Sequence, residues 1–360
     1  MLAPFANAQN NDQISYTTYY FNDSGNNSVV TTSFSLAKKL IEGTAILLDI
    51  ELDKVSLPPA VDGQTGATRP ARKQDERFEK NRGQVIVGLE QSLGSTTTLA
   101  FNAYRSQELD YISNSAIVTL SQELFQRNTT ITLRGQVNDD RVGELQENGA
   151  VNNENKSVYT GALGLSQVLS TNTVLNLNYD VMIMNGFLSD PYRKVRVFTS
   201  LGGYEIENEI HPDNRLRQAA TSKLSQYIES VKASIIGSYR YYFDDWDVKS
   251  HTTEFRFNKY VFDDFILGFN YRYYTQSGAN FYSERYDQNQ TSEFQTADYK
   301  LKPFDSNTFG FNVRLLLRKW ADSPGWESLK NSSFEVMYLR YTNSLDFSAN
   351  ILQATLNFAI

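Results

Sequence analysis

The sequence predicts an all-β protein: a transmembrane antiparallel β-barrel of about 16 strands (14–18), with long outer loops and mostly short periplasmic turns. Three observations point there. Apolar and polar residues alternate in segment after segment. Aromatics reach 13%, with 22 Tyr and 22 Phe, yet mean hydropathy is only −0.45. No apolar run reaches the roughly 18 residues of a transmembrane helix, whereas barrel strands keep a low average hydropathy because they alternate.

The stretch 238–257, SYRYYFDDWDVKSHTTEFRF, shows the pattern most clearly. Ala233, Ile235, Gly237, Tyr239, Tyr241 and Phe243 fall on one face of a strand, and Ser234, Ser238 and Arg240 on the other. After Asp244-Asp245-Trp246 the alternation resumes, with Phe255 and Phe257 opposing Glu254, Arg256 and Asn258. The Asp-rich break reads as a hairpin turn.

In chain order the first strand segments are 13–21, 28–37, 44–54, 83–93, 97–106, 113–124, 129–138, 157–168 and 173–183. They continue with 215–227, 231–243, 248–260, 265–275, 306–318, 332–343 and 349–360. Val85, Val87, Leu89 and Leu93 share a face, as do Ile131, Leu133 and Val137. Leu175, Leu177, Tyr179, Val181 and Ile183 oppose Asn176, Asn178 and Asp180. The segment 213–228 has some i/i+4 character but also alternates, and is assigned to strand. Phe265, Leu267, Phe269, Tyr271 and Tyr273 oppose Asn270 and Arg272. Phe309, Phe311, Val313, Leu315 and Leu317 oppose Asn312, Arg314 and Arg318. In the final segment Leu352, Leu356, Phe358 and Ile360 alternate with Gln353, Thr355 and Asn357. A terminal strand with a Phe near its end is typical of outer-membrane barrels and makes the barrel assembly machinery an expected partner.

Connection lengths supply a second test. With the first strand running outward, the outer connections include 55–82, 139–156, 184–214 and 276–305, the four longest. The periplasmic ones include 94–96, 125–128, 169–172, 228–230 and 261–264, all short, as an outer-membrane barrel requires. The connection 319–331 breaks the rule, and 194–201, which also has strand character, is placed inside an outer loop to keep parity. A soluble sandwich alternates too. Sixteen long strands with an aromatic apolar face fit lipid better, and a closed barrel leaves no unpaired edge there.

Residues 1–12 are expected to be a signal-peptide remnant or disordered tail, because Ala6-Asn7-Ala8 resembles a cleavage site, and 13–360 a single barrel domain. The absence of cysteine excludes disulfides, thiolate metal sites and Cys nucleophiles. A net charge of −7 makes no case for nucleic-acid binding.

The stretch YRYYFDDW followed by SHT resembles the signature of a bacterial outer-membrane barrel family known only as a domain of unknown function. NGFLSDPYRKV at 185–195, HPDNRLRQA at 211–219 and YRYYTQSG at 271–278 are similar to it as well. The resemblance spans about 185–283. It implies an outer-membrane barrel and no settled substrate. Its members tend to be encoded beside periplasmic thioredoxin-like and flavin-transferring proteins, which implies a possible redox partner.

If the aromatic face meets lipid, the other face lines a lumen holding Arg134, Asp180, Arg240, Glu254, Arg256, Arg272, Arg314 and Arg318. The expected selectivity residues are Arg134, Arg240, Glu254, Arg256, Arg272 and Arg314. An excess of Arg over acid favours anions, while an internal ion-pair network that braces the lumen is the structural alternative. Catalysis is not expected. Ser250 and His251 are adjacent on one strand, so they point to opposite faces. Asp244, Asp245 and Asp247 could hold Ca²⁺ but suit a turn better. Arg69, Arg72, Lys73, Arg77, Lys80 and Arg82 form a basic patch on the outer loop 55–82, suited to lipopolysaccharide phosphates or to solvent. No cofactor or metal is expected. The reading is a porin-like channel in the bacterial outer membrane for small polar or anionic solutes. A plugged structural or partner-binding barrel, possibly serving a periplasmic redox system, is the alternative. A hydrolase comes third, and two histidines supply it poorly.

Overall fold

A computed structural model describes residues 12–58, 77–145, 151–289, 293–321 and 326–360. Sixteen antiparallel strands close into a ring. Its first half is β1 (Gln13–Asp23), β2 (Ser28–Ile41), β3 (Thr44–Leu57), β4 (Phe78–Leu93), β5 (Thr97–Gln107), β6 (Tyr111–Leu124), β7 (Thr129–Leu145) and β8 (Val151–Ser170). After β9 (Thr173–Gly186) the chain leaves the ring to form β10 (Lys194–Phe198) and β11 (Tyr204–Asn208). It returns as β12 (Asn214–Ile228), β13 (Ala233–Asp244), β14 (Lys249–Phe262) and β15 (Phe265–Gln276). A second excursion carries β16 (Tyr286–Asp287), and β17 (Phe304–Leu316), β18 (Ser333–Asn343) and β19 (Ser348–Ala359) complete the ring. Gln13 pairs with Ala359 and Asp23 with Ala349, which seals β1 against β19.

Each predicted segment coincides with one barrel strand, including 213–228, which forms β12. The segment 194–201 supplies β10, outside the ring, so the assumed parity is the observed one. Two details differ. β4 begins at Phe78, so Lys80 and Arg82 belong to a strand and not to a basic loop, while Arg69, Arg72 and Lys73 lie outside the described residues. β17 ends at Leu316, so Arg318 sits in a 3-10 turn, where it pairs with Asp264. Residues 1–11 are likewise outside the described residues.

The side-chain period of two separates the faces. Leu52 is 60% exposed, and Val87, Phe101, Leu133, Leu163, Tyr239 and Phe311 are also exposed; all fall on the parity that points away from the ring. On β15, Phe265, Leu267 and Phe269 give way to Tyr273 toward the far end. An apolar outer belt around a ring with no free edge is the form that satisfies backbone hydrogen bonding in lipid. No helix among the described residues is long and apolar enough to cross a membrane. The end of the ring that holds the first and last strand termini is here the terminal end. The other is the loop end.

The lumen wall and its lid

All six expected selectivity residues project from the inner face. Register pairs Arg134 with Thr119 and Ala162, and Arg240 with Thr221 and Thr252. Glu254 faces Arg272 and Ser238, Arg256 faces Asn270, and Arg314 faces Glu335. Five of the six sit together on β13, β14, β15 and β17, which are consecutive in the ring. Glu254 lies 3.3 Å from Arg272 and 3.7 Å from Arg256, and Arg314 reaches Glu335 at 2.5 Å. Arg240 has no carboxylate partner among the described residues and leans over the Tyr242 ring at 5.7 Å. Arg134 stands apart, four ring positions from β13, in a ladder of hydrogen bonds to Gln136 and on to Asn138. Asp180 is also on the inner face, between Ala162 and Ala219.

The sequence reading missed an acidic column. Asp49, Glu51 and Asp53 share the inner face of β3, and one guanidinium, Arg82, serves both Glu51 at 3.0 Å and Asp53 at 2.5 Å. Asp49 accepts from Ser35. In the ring order β3 and β13 are eight places apart out of sixteen, so this column faces the arginine wall across the lumen. A transverse field therefore crosses the middle of the barrel. The near-alternation in LLDIELDKV signals the column, but its position relative to the arginines depends on ring closure.

The loop end carries a folded lid. Residues 187–213 meet 277–289 and 293–303 there. β10 pairs with β11 and, in parallel, with β16, and Ile210 bridges Gln295 through both backbone hydrogen bonds. Arg193 reaches Asp298 at 2.8 Å, and Thr296 Oγ1 donates to Glu209 at 2.9 Å. The Tyr192 hydroxyl donates to Asp110, between β5 and β6, at 2.8 Å. The first excursion thus spans from the β9–β12 junction to the far side of the β5–β6 hairpin. Trp246, Val248, Ala279 and Leu301 form an apolar core where the lid meets the wall.

The histidines and Asp-rich turn resolve within this frame. His211 packs edge-on against Trp246, with its Nε2 3.5 Å from Glu209. His251 is on the outer face, with Nδ1 2.6 Å from the Tyr239 hydroxyl, and Ser250 is on the inner face. Asp244 accepts from the Trp246 and Val248 amides, Tyr242 and Arg215, and Asp245 accepts from the Leu216 amide. They act as turn formers, and no cluster of three or more metal-binding side chains occurs among the described residues.

Burial alone pushes the Glu209 carboxyl up, but His211, the Arg193 guanidinium and the Asp190 N–H offset it and hold the group below the usual carboxylate range. At the opposite end Lys319 and Arg318 hold Asp264 below that range as well.

Ring closure, lipid-facing belt and polar lumen define an outer-membrane-type β-barrel. The chain belongs to a family described as "Protein of unknown function (DUF3570)", whose model matches residues 60–333. No curated protein matches the sequence. Among solved structures it is similar to a bacterial polysaccharide outer membrane secretin, at 8% identity and TM-score 0.54, covering 98% of this chain and 99% of that one. A BenF-like porin from Pseudomonas fluorescens Pf-5 gives 9% identity and TM-score 0.48, over 97% and 98%. The outer membrane protein OprD from Pseudomonas aeruginosa gives 8% identity and TM-score 0.47, over 97% and 93%. At these identities the likeness is one of fold.

Proposed function

We propose that the protein is a channel of the bacterial outer membrane that passes small polar or anionic solutes along the arginine side of its lumen. The carrying observation is the grouping of Arg240, Arg256, Arg272 and Arg314 on adjacent inner-face strands, with only Glu254 and Glu335 among the described residues to pair them. Rings and walls of fixed charge set ion selectivity in pores. In this reading the loop end faces outward, toward lipopolysaccharide, and the lid narrows the entrance. The acidic column on β3 tempers anion preference and makes the channel weakly selective.

One observation favours a second reading, the plugged barrel. The lid is bonded to Asp110 on one side and to the Trp246 turn on the other, so it closes part of the mouth. There the outer loops, or a periplasmic partner, carry the function.

Single-channel recording of the refolded protein in a planar bilayer separates the two. A channel gives discrete, weakly anion-preferring steps, and Arg240→Ala shifts the reversal potential toward cations. Silence from a correctly folded, heat-modifiable barrel establishes the plug instead.

A further inference from the structure

At the terminal end of the arginine wall lies a cavity of about 590 Å³. That is within the roughly 300–1,000 Å³ of small-molecule pockets. Its construction can be followed along the register. One row across the wall runs Ile236, Arg256, Asn270, Gly310, Leu339. The next row toward the terminal end runs Ser234, Asn258, Gly268, Asn312, Met337. Cationic, amide and apolar side chains are therefore neighbours on one concave patch.

Two glycines let neighbouring side chains cross the wall beside it. A Cβ at Gly268 would stand 2.0 Å from Asn312 Oδ1 and 2.6 Å from Asn258 Oδ1, so both amides fold over the position. A Cβ at Gly310 would stand 2.3 Å from Leu339 Cδ2. The space over both glycines is taken up by these neighbours, so Asn258, Asn312 and Leu339 lie close against the wall where they line the cavity. Around the cavity stand Arg256, Arg272 and Arg314 against two carboxylates, Glu254 and Glu335, leaving one net positive charge. Arg314 is satisfied by Glu335. Arg256 and Arg272 share Glu254 at 3.7 and 3.3 Å, and neither donates a hydrogen bond to a described residue. Guanidinium groups whose donors are unused, held beside a cavity, suit a planar, bidentate oxyanion. Ile236, Ile266, Met337 and Leu339 offer apolar surface to the rest of such a molecule.

We infer that this cavity is a binding site for small organic carboxylates, monoanions with an apolar body. Arg256 and Arg272 hold the carboxylate, and Ile236, Ile266, Met337 and Leu339 receive the hydrocarbon part. The site rests on the reading of an open lumen for its role in transport, but binding itself can be measured without conduction.

The test is calorimetric titration of the refolded full chain in lipid nanodiscs with sodium hexanoate. Hexanol and inorganic phosphate serve as comparison probes, and empty nanodiscs as the blank. Saturable one-site binding is expected, with hexanoate about tenfold tighter than either comparison probe. Arg256→Met and Met337→Asp should each weaken it at least about fivefold, one by removing donors and the other by setting a carboxylate against the hydrocarbon part. Gel heat-modifiability checks folding, and Arg256→Met alone decides the matter if Met337→Asp does not fold. Hexanol binding as well as hexanoate, phosphate binding as well as hexanoate, or binding indifferent to Arg256→Met overturns the site. Conducting channels without hexanoate binding sink the site alone. Hexanoate binding to a silent barrel sinks the channel and leaves the site.

Discussion

Asp244 shows how much one side chain in this protein is asked to do. Its carboxylate ends β13, caps the Trp246–Val248 turn through two backbone amides, and pairs with Arg215 while its side chain is fully buried. Arg215 in turn stacks on Trp246 at 4.1 Å. Removing the acid strands a buried cation and two amides together. Asp244→Ala should therefore cost about 3–5 kcal/mol in urea unfolding from lipid vesicles. Asp245→Ala, which frees only the Leu216 amide, should cost about 1 kcal/mol. Equal losses would show that the turn, not the carboxylate, holds the corner. The DDW break was legible as a turn because Asp favours turns. That its first Asp is the anchor was not, since Arg215 lies 29 residues earlier in the chain.

At the scale of elements the lid is the feature local pattern could not reveal. β10 has strand character in the sequence, but its partner β16 is two residues long and lies in another loop. Three of the four stretches that resemble the family, 185–195, 211–219 and 239–252, converge on this region: Leu188, Arg193, His211, Arg215, Asp244 and Trp246 all contribute to it. Glu209 is its titrating centre. Its folded pKa is depressed from the ordinary 4.5, so its contribution to lid stability is present above that value and is lost as pH falls through the folded pKa. Hydrogen exchange at the Ile210 and Gln295 amides should accelerate below about pH 4.5 in the native chain. In Glu209→Gln the exchange should be faster throughout and lose that acid step. Replacing 194–208 by a short Gly-Ser link should raise single-channel conductance, if the lid narrows the mouth as proposed. An unchanged conductance would place the constriction elsewhere.

The molecule as a whole is a ring whose two faces differ in solvent, and period-two alternation made that ring readable. Alternation is local, so it identified every barrel strand. The opposition of Asp49, Glu51 and Asp53 to the arginines is a property of the closed circuit and appears only when the ring is counted. The faces can be tested on one strand. Leu52→Arg, in the middle of β3 on the outer face, should cost about 2–4 kcal/mol in lipid vesicles. Glu51→Gln, one residue away on the lumen side, should cost less than about 1 kcal/mol. Similar costs would argue that the outer face does not meet hydrocarbon. The lid also has a bearing on how the ring is made. Its two halves leave the wall at β9–β12 and at β15–β17, so β10–β16 and Ile210–Gln295 pair only when both junctions stand in the ring. During biogenesis full protection of 187–213 from protease would therefore wait until both junctions are in place. Protection of that segment in pulse-chase proteolysis would thus be a clock for assembly, marking the moment when the β9–β12 and β15–β17 junctions stand together.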